Sequence, residues 1–412
     1  MGNCSISIVM NGIKKCSGSC LYCSASSTMK YRSKENKTTF VFDREKTKKR
    51  ILEYCEPILK EDKKNRQPTT LAIDIWGGNP VENFEPFKEV VEFCENGLKE
   101  FAKVSLHTSG NGLELQDKDI VEYLFKHGIH YQLSHDGLGQ WLRTGEIDPL
   151  YWEKTKDNIA LMANKGLLDW VNCTLSSRNP SFFDNIEYWN KWRKEIGLNQ
   201  PITIKLNHIY EGTPPITKKW LGKDNEYIKN GEEIGDLCFH GDVLHNYLHE
   251  FRKLAIMCHT PSLASSWWLQ PYVNYITGQD NRYVFAKNDN ELGSCTKFQR
   301  GIVKTNFAID TKGEYCQCNL IDSDNKVKNP TAKQPDYCKG CKYEKLQECN
   351  PCGSENFPEK CEYHWWWNKT LEETFTLLEM LKDINAQSNN HKCNCNEQKN
   401  NEPVFCVKGY KF

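Results

Sequence analysis

Three cysteines stand within eight residues near the start of the chain: Cys16, Cys20 and Cys23, spaced C-x3-C-x2-C in the stretch KCSGSCLYCS. Three thiolates this close can hold three corners of a 4Fe–4S cube, a cluster that normally takes four cysteine ligands. The fourth iron is then left open, and an open coordination position is where a metal does chemistry. Zinc also takes thiolates, usually as two separated C-x2–4-C pairs, so a partial zinc site is the competing reading of these three residues alone.

A second group lies far downstream. Cys295, Cys316, Cys318, Cys338, Cys341, Cys349, Cys352 and Cys361 are eight thiols, the number that two fully ligated 4Fe–4S cubes need. Within it, Cys338, Cys341, Cys349 and Cys352 form C-x2-C-x7-C-x2-C, which also suits a four-cysteine zinc site.

The remaining composition sets the context. Twenty cysteines in 412 residues, behind an N-terminus without the charged-then-apolar plan of a signal peptide, read as metal ligands of a cytosolic chain rather than as disulfides. Cys55, Cys94, Cys173 and Cys258 stand singly in apolar surroundings and read as core residues. The opening MGNCSI comes close to a myristoylation signal, but Ile6 stands where Ser or Thr is needed. Lys+Arg and Asp+Glu are both 54, so neither nucleic acid nor an anionic membrane is expected as a partner. No apolar run reaches the roughly 18 residues of a membrane span.

The elements that must position the first cysteines follow from periodicity. Strands are expected at 5–11, 71–76, 103–107, 130–134, 170–175 and 202–209, where β-branched and apolar residues cluster. Helices are expected between them at 47–59, 86–98, 117–127, 150–165 and 182–196. Strands alternating with helices imply a parallel sheet with right-handed crossovers, and six such units make a partial α/β barrel. Barrels of this kind carry their chemistry at the C-terminal ends of the strands. The cysteine loop, GGNP (77–80), TSGNG (108–112) and HDG (135–137) each follow a strand end and should gather at one mouth.

Beyond the barrel (1–212), residues 213–293 lose the α/β period and form a bridging segment with one expected helix, 242–257. His240, His245 and His249 lie close together there, the last two at i,i+4, but no acidic partner follows the H-E-x-x-H plan, so packed or solvated histidines are the default. A cysteine-rich unit (294–365) opens with a hairpin at 306–317 that turns at 311–313. Last comes a tail (366–412), with a helix at 371–384, an Asn-rich run and a final apolar stretch.

The first motif, with Tyr22 just before its third cysteine, resembles that of the radical S-adenosylmethionine (SAM, AdoMet) enzymes. The resemblance implies that AdoMet chelates the open iron through its amino and carboxylate groups and is cleaved to a 5′-deoxyadenosyl radical. It also implies AdoMet contacts at GGNP (Gly77, Gly78, Asn79), which is similar to the family's Gly-Gly-Glu-Pro loop, and at S-H-D-G…R (Ser134, Asp136, Arg143). Asn79 replaces the family's acid, and an amide accepts a hydrogen bond but brings no charge.

The downstream cysteines resemble the SPASM extension of that family, with Gly313 and Cys318 fitting its G-x4-C hairpin. By that resemblance Cys295, Cys316, Cys318 and Cys352 hold one auxiliary 4Fe–4S cluster, and Cys338, Cys341, Cys349 and Cys361 the other. The knuckle spacing departs slightly from the family's, so the partition of ligands stays open. Asn319 stands where sulfatase-maturing members carry an Asp base, which an amide cannot replace.

The resemblance therefore implies a radical SAM/SPASM enzyme with three clusters. An external flavodoxin- or ferredoxin-like electron donor would serve it, and an oxidative modification of a ribosomally made peptide would be its reaction. A small molecule such as a sugar or amino-acid derivative is the alternative substrate, and a zinc- or cluster-binding protein without AdoMet chemistry is a third reading.

Overall fold

The computed structural model describes residues 3–11, 16–18, 20, 22, 39–65, 70–144, 148–198, 202–208, 237, 241–257, 307–316, 406–407 and 410–411. Cys23, Cys258, Cys295, Cys318, Cys338, Cys341, Cys349, Cys352 and Cys361 lie outside these residues, as do His240, Asn319 and the expected helix 371–384.

The alternation read from the sequence is realised as β1 (Asn3–Val9), α1 (Arg44–Asn65), β2 (Thr70–Trp76), α2 (Phe84–Gly97), β3 (Lys103–Gly110), α3 (Lys118–Lys126) and β4 (His130–Ser134). The series continues with α4 (Trp141–Thr144), α5 (Glu153–Asn164), β5 (Leu168–Leu175), α6 (Phe182–Glu195), β6 (Ile204–His208), α7 (Gly241–Met257) and β7 (Phe307–Asp310). One expected helix, 150–165, starts three residues later than the periodicity suggests, while the one expected at 117–127 begins where expected. Leu113–Gln116 and Pro149–Tyr151 are 3-10 turns, and the α-helices begin where Asp117 caps α3 and beyond Trp152 for α5.

All pairings from β1 to β6 are parallel, in the order β6-β5-β4-β3-β2-β1, as the partial barrel requires. A seventh strand extends the sheet. β7, the first arm of the expected hairpin, pairs in parallel with β1, Ile6 opposite Phe307 through Val9 opposite Asp310. The turn is as expected, with Gly313 N donating to Asp310 O at 2.9 Å and Ile309 bridging Tyr315. The sequence reading did not place this arm in the barrel sheet. A four-residue apolar segment carries no mark of which edge it will complete.

The period-2 pattern divides the sheet. In β2, Leu71, Ile73 and Ile75 are buried, while Ala72, Asp74 and Trp76 point the other way. The buried set packs with the helices around Phe87, Phe182 and Trp189, and Cys55, Cys94 and Cys173 belong to this core, as expected of lone cysteines. Burial pushes the Cys94 and Cys173 thiols well up, so both stay neutral.

The opposite face is polar. Gln132 Nε2 donates to Asp74 Oδ1 at 3.0 Å, and Lys205 Nζ sits 3.0 Å from the centre of the Trp170 ring. Burial lowers the Lys205 pKa to about 8, against the pull of Asp74 and Asp169. The helix of the bridging segment is tied to the barrel. Glu250 of α7 accepts from Phe182 N at 2.7 Å and Ser181 Oγ at 3.2 Å, and Tyr247 stacks on Phe182 at 4.8 Å. Among the described residues, no helix is long and apolar enough to cross a membrane.

Candidate active site

The four strand-end loops do gather. Trp76 O accepts from Met10 N at 2.8 Å, which holds the Gly77–Gly78 turn against the exit of β1. Gly77 has φ +126°, and a Cβ there would stand 2.8 Å from Met10 O, so only glycine allows the approach. The next turn reaches the cysteine loop itself. Glu82 Oε2 accepts from Ser17 N at 2.8 Å, and its Oε1 accepts from Ser17 Oγ. Gly18 presses on Asn111, whose Nδ2 lies 4.0 Å from Cys16 Sγ.

Asn79 occupies the centre of this contact. Its residue is 1 % exposed, and its Nδ2 donates to Glu82 Oε1 at 2.7 Å and to Glu114 Oε2 at 2.9 Å. Its Oδ1 is buried with no hydrogen-bond partner among the described residues. Glu114 is also buried. It accepts from the Tyr131 hydroxyl, which in turn accepts from Gly112 N at 3.0 Å. Burial raises the Glu114 pKa despite the hydrogen bonds from Tyr131, its own backbone and Asn79.

On the other side of the cysteine loop, Asp136 organises the second group. Its Oδ1 accepts from Arg143 Nη2 and from Thr174 N, both at 2.9 Å, and its Oδ2 accepts from the Tyr22 hydroxyl. The Arg143 guanidinium lies 5.7 Å over the Tyr22 ring and places Nη1 3.6 Å from Cys20 Sγ. Its Nε is buried without a partner among the described residues. Burial opposes the charge on Arg143, but Asp136, Tyr22 and Cys20 outweigh it and hold its pKa above the usual arginine value. Burial likewise drives Tyr22 well up, so the phenol keeps its proton.

Asp136 is itself seated by neighbours. Its backbone N donates to Gln140 Oε1 at 2.9 Å and its carbonyl accepts from Asn179 Nδ2 at 3.1 Å. His135, fully buried, lies with Nε2 2.9 Å from Asp148 Oδ1 and accepts from Gly137 N at its other nitrogen.

Of the residues singled out in the sequence, Cys16, Cys20, Tyr22, Gly77, Gly78, Asn79, Asp136 and Arg143 come together at this mouth, with Ser134 half-buried at the end of β4. Arg143 has one nitrogen on Asp136 and one against Cys20. Cys316 lies on the return arm of the hairpin, buried against Val9, Ala308 and Trp76. The β7 turn also grips the entry to the cysteine loop, since Thr311 Oγ1 donates to Asn11 Oδ1 at 3.0 Å.

Sequence reasoning missed Glu82, Asn111, Glu114 and Tyr131. Asn111 and Glu114 were within reach, being polar residues in or just after a glycine-rich strand end. Tyr131 was not, since it reads as an ordinary strand residue.

The donor set fits an AdoMet-bound cluster. Two of the three motif thiols stand at the mouth with N–H groups near their sulfurs, the arrangement that tunes cluster ligands. Asn79 Oδ1 and Arg143 Nε, without partners among the described residues, are an acceptor and a donor of the kind an amino acid's amino N–H and carboxylate would use. A separate convergence, His107, His130 and Asp169, sits at mid-β3 and at the starts of β4 and β5. There the two Nδ1 atoms share the two oxygens of one carboxylate at 2.6 and 2.8 Å, a hydrogen-bonded network.

No family model and no curated protein matches the chain. Among solved structures it is similar to native anSMEcpe with bound AdoMet and Cp18Cys peptide, at 13 % identity over 92 % of this chain and 99 % of that one, TM-score 0.55. It is also similar to a polyhistidine-tagged anSMEcpe with bound AdoMet, at 14 % identity over 94 % and 98 %, TM-score 0.56. A third is native anSMEcpe with AdoMet and Kp18Cys peptide, at 13 % identity over 91 % and 99 %, TM-score 0.54. This likeness shows the fold: the described residues have the parallel α/β sheet arrangement shared with those structures, as the strand–helix alternation implied.

Proposed function

We propose that the protein is a radical SAM/SPASM enzyme that binds AdoMet at the mouth built around Cys16 and Cys20 and oxidatively modifies a peptide. The observation that carries this reading is the pairing of two motif thiols with a buried amide oxygen and a buried guanidinium nitrogen that have no partner among the described residues, at one set of strand ends. The similar anSMEcpe structures hold AdoMet and peptides, which supports both the cofactor and the substrate class.

Cys16, Cys20 and Cys23 would hold the open cluster. When bound, that cluster supplies the electron that splits AdoMet into methionine and a 5′-deoxyadenosyl radical, which takes a hydrogen atom from the substrate. The chain's own residues do the rest. Glu82 clamps Ser17 and so sets the position of the cysteine loop. Asn111 and Arg143 direct N–H groups at the thiolate sulfurs. Asp136 neutralises Arg143 and holds Tyr22 beside it. Gly77 brings the β2 turn close enough to line the same mouth. The eight downstream cysteines, Cys295 to Cys361, would hold two closed auxiliary clusters that carry an electron out of the substrate radical, with an external flavodoxin- or ferredoxin-like donor feeding the first cluster.

Anaerobic reconstitution tests the reading. The loaded protein should hold about twelve irons, the content of three 4Fe–4S cubes, with little zinc. With reductant it should release 5′-deoxyadenosine from AdoMet. Cys16→Ala should abolish that release, whereas Cys341→Ala should spare it and block product. Bound zinc with no deoxyadenosine would overturn the assignment.

A further inference from the structure

Lys205 has no task in the function proposed so far, and its setting on the sheet is that of a chemical group rather than a surface cation. It stands on β6 next to the core residue Ile204, so it projects from the opposite, polar face, the inner side of the partial barrel that carries Asp74, Gln132 and Trp170. Register ties it to the mouth. Lys205 pairs with Asn172 of β5, and Asn172 pairs with Ser134 at the end of β4. Its Nζ lies 3.0 Å from the centre of the Trp170 ring, so the indole covers one side of the amine.

A lysine withdrawn from water ordinarily has an acid against it. Here the acids are engaged elsewhere. Asp74 Oδ1 accepts from Gln132 Nε2 at 3.0 Å, and the two oxygens of Asp169 face His107 and His130 at 2.6 and 2.8 Å. Among the described residues, no ion pair forms to Lys205. The titratable groups that face it are Asp74 on β2, His107 on β3 and Asp169 on β5, with His130 of β4 on the other oxygen of Asp169. Burial outweighs the pull of the two acids and brings the amine down to about 8. About a tenth of it is then unprotonated at pH 7, against a few parts in ten thousand for an ordinary lysine. A desolvated amine held on a rigid strand is the form of lysine that attacks a carbonyl carbon.

We propose that Lys205 is a carbonyl-capturing nucleophile, which forms an imine with a small aldehyde or ketone entering the barrel through the strand-end mouth. The nitrogen forms a bond to the carbonyl carbon, and the carbonyl oxygen leaves as water with the two amine hydrogens. No oxidant or reductant is consumed. Burial holds the Asp74 carboxyl above the usual aspartate range, which suits it to lend a proton to the departing oxygen and take it back. This goes beyond the AdoMet reading and needs neither cluster nor cofactor.

The test treats the full chain, kept anaerobic, with propanal and cyanoborohydride, which reduces an imine to a stable secondary amine. Labelled peptides are then quantified by mass spectrometry. At pH 7 and limiting propanal, Lys205 should be labelled at least about tenfold faster than the median lysine, since its free-amine fraction is larger. Its rate should be half-maximal near pH 8, where the rates of exposed lysines are still climbing. Wild-type labelling decides the matter, so no variant has to fold. Lys205→Arg keeps the cation but cannot form the imine, and a variant that melts as the wild type does should lack the fast site.

A smaller preference for Lys205, a pH profile that follows the exposed lysines, or a fast site that persists at another lysine in Lys205→Arg overturns the proposal. None of these results touches the AdoMet assignment, which is decided separately by deoxyadenosine release.

Discussion

Gly110→Ala is the sharpest perturbation the structure offers. The glycine is the last residue of β3, and its new methyl carbon would lie 1.7 Å from Glu114 Oε1, 2.5 Å from the Tyr131 hydroxyl and 2.8 Å from Glu114 Cδ. No small rotation relieves three such contacts, so the carboxylate must leave its seat. Overpacking of this kind costs about 1–3 kcal/mol. The displaced carboxylate also abandons the Tyr131 hydroxyl and one Asn79 N–H, and each buried group left unpaired costs about 1–3 kcal/mol. Partial overlap of these costs brings the expected loss to about 3–5 kcal/mol.

Urea unfolding followed by circular dichroism measures that loss. The decisive comparison is the double variant. In a Glu114→Ala background most of the clash is gone, so the same Gly110→Ala change should cost less than half as much. A single-variant loss under about 1 kcal/mol, or an equal cost in both backgrounds, would refute the tight seating of Glu114.

Two further outcomes follow from charges elsewhere in the sheet. Asp136→Ala leaves the buried Arg143 guanidinium without its carboxylate and should cost about 3–5 kcal/mol in the same unfolding assay, the scale of a broken buried pair. A loss under about 1 kcal/mol would mean the pair is solvated. The His107–His130–Asp169 network should give stability a pH signature. For Asp169, burial raises the pKa but the two imidazoles outweigh it and lower it, so its contribution is present above the unfolded value and lost as pH falls through the folded one. For His107, burial lowers the pKa but Asp169 outweighs it, so its contribution is complete below the unfolded value and lost as pH rises through the folded one. Their joint contribution is therefore largest between about pH 4 and 6.5, the ordinary aspartate and histidine values. Asp169→Asn should flatten the profile of urea midpoint against pH, and parallel profiles would contradict this.

The alternation of strands and helices was legible residue by residue, because each strand's burial and each helix's cap are local properties. His130–Ser134 was read to the residue, and β2, β5 and α6 to within two. The strand-end loops were legible for the same reason. Glycines mark sharp turns, and the topology of a parallel sheet then sends those turns to one rim. The cysteine spacing named the chemistry, since thiol number and interval are all that a cluster's first corners require.

What the chain order could not specify is which partners meet across the rim. Glu114 lies 35 residues from Asn79, and Cys20 lies 123 from Arg143. Asp136 was visible as a motif residue, but not as the anchor of Arg143 and Tyr22 together. The edge chosen by β7 was equally invisible, since parallel pairing depends on which strand's hydrogen bonds lie open after the rest has folded. Patterns of spacing fix the kind of groups present. Only the folded sheet, by bringing distant loops within hydrogen-bond reach, decides which of them hold each other's charge.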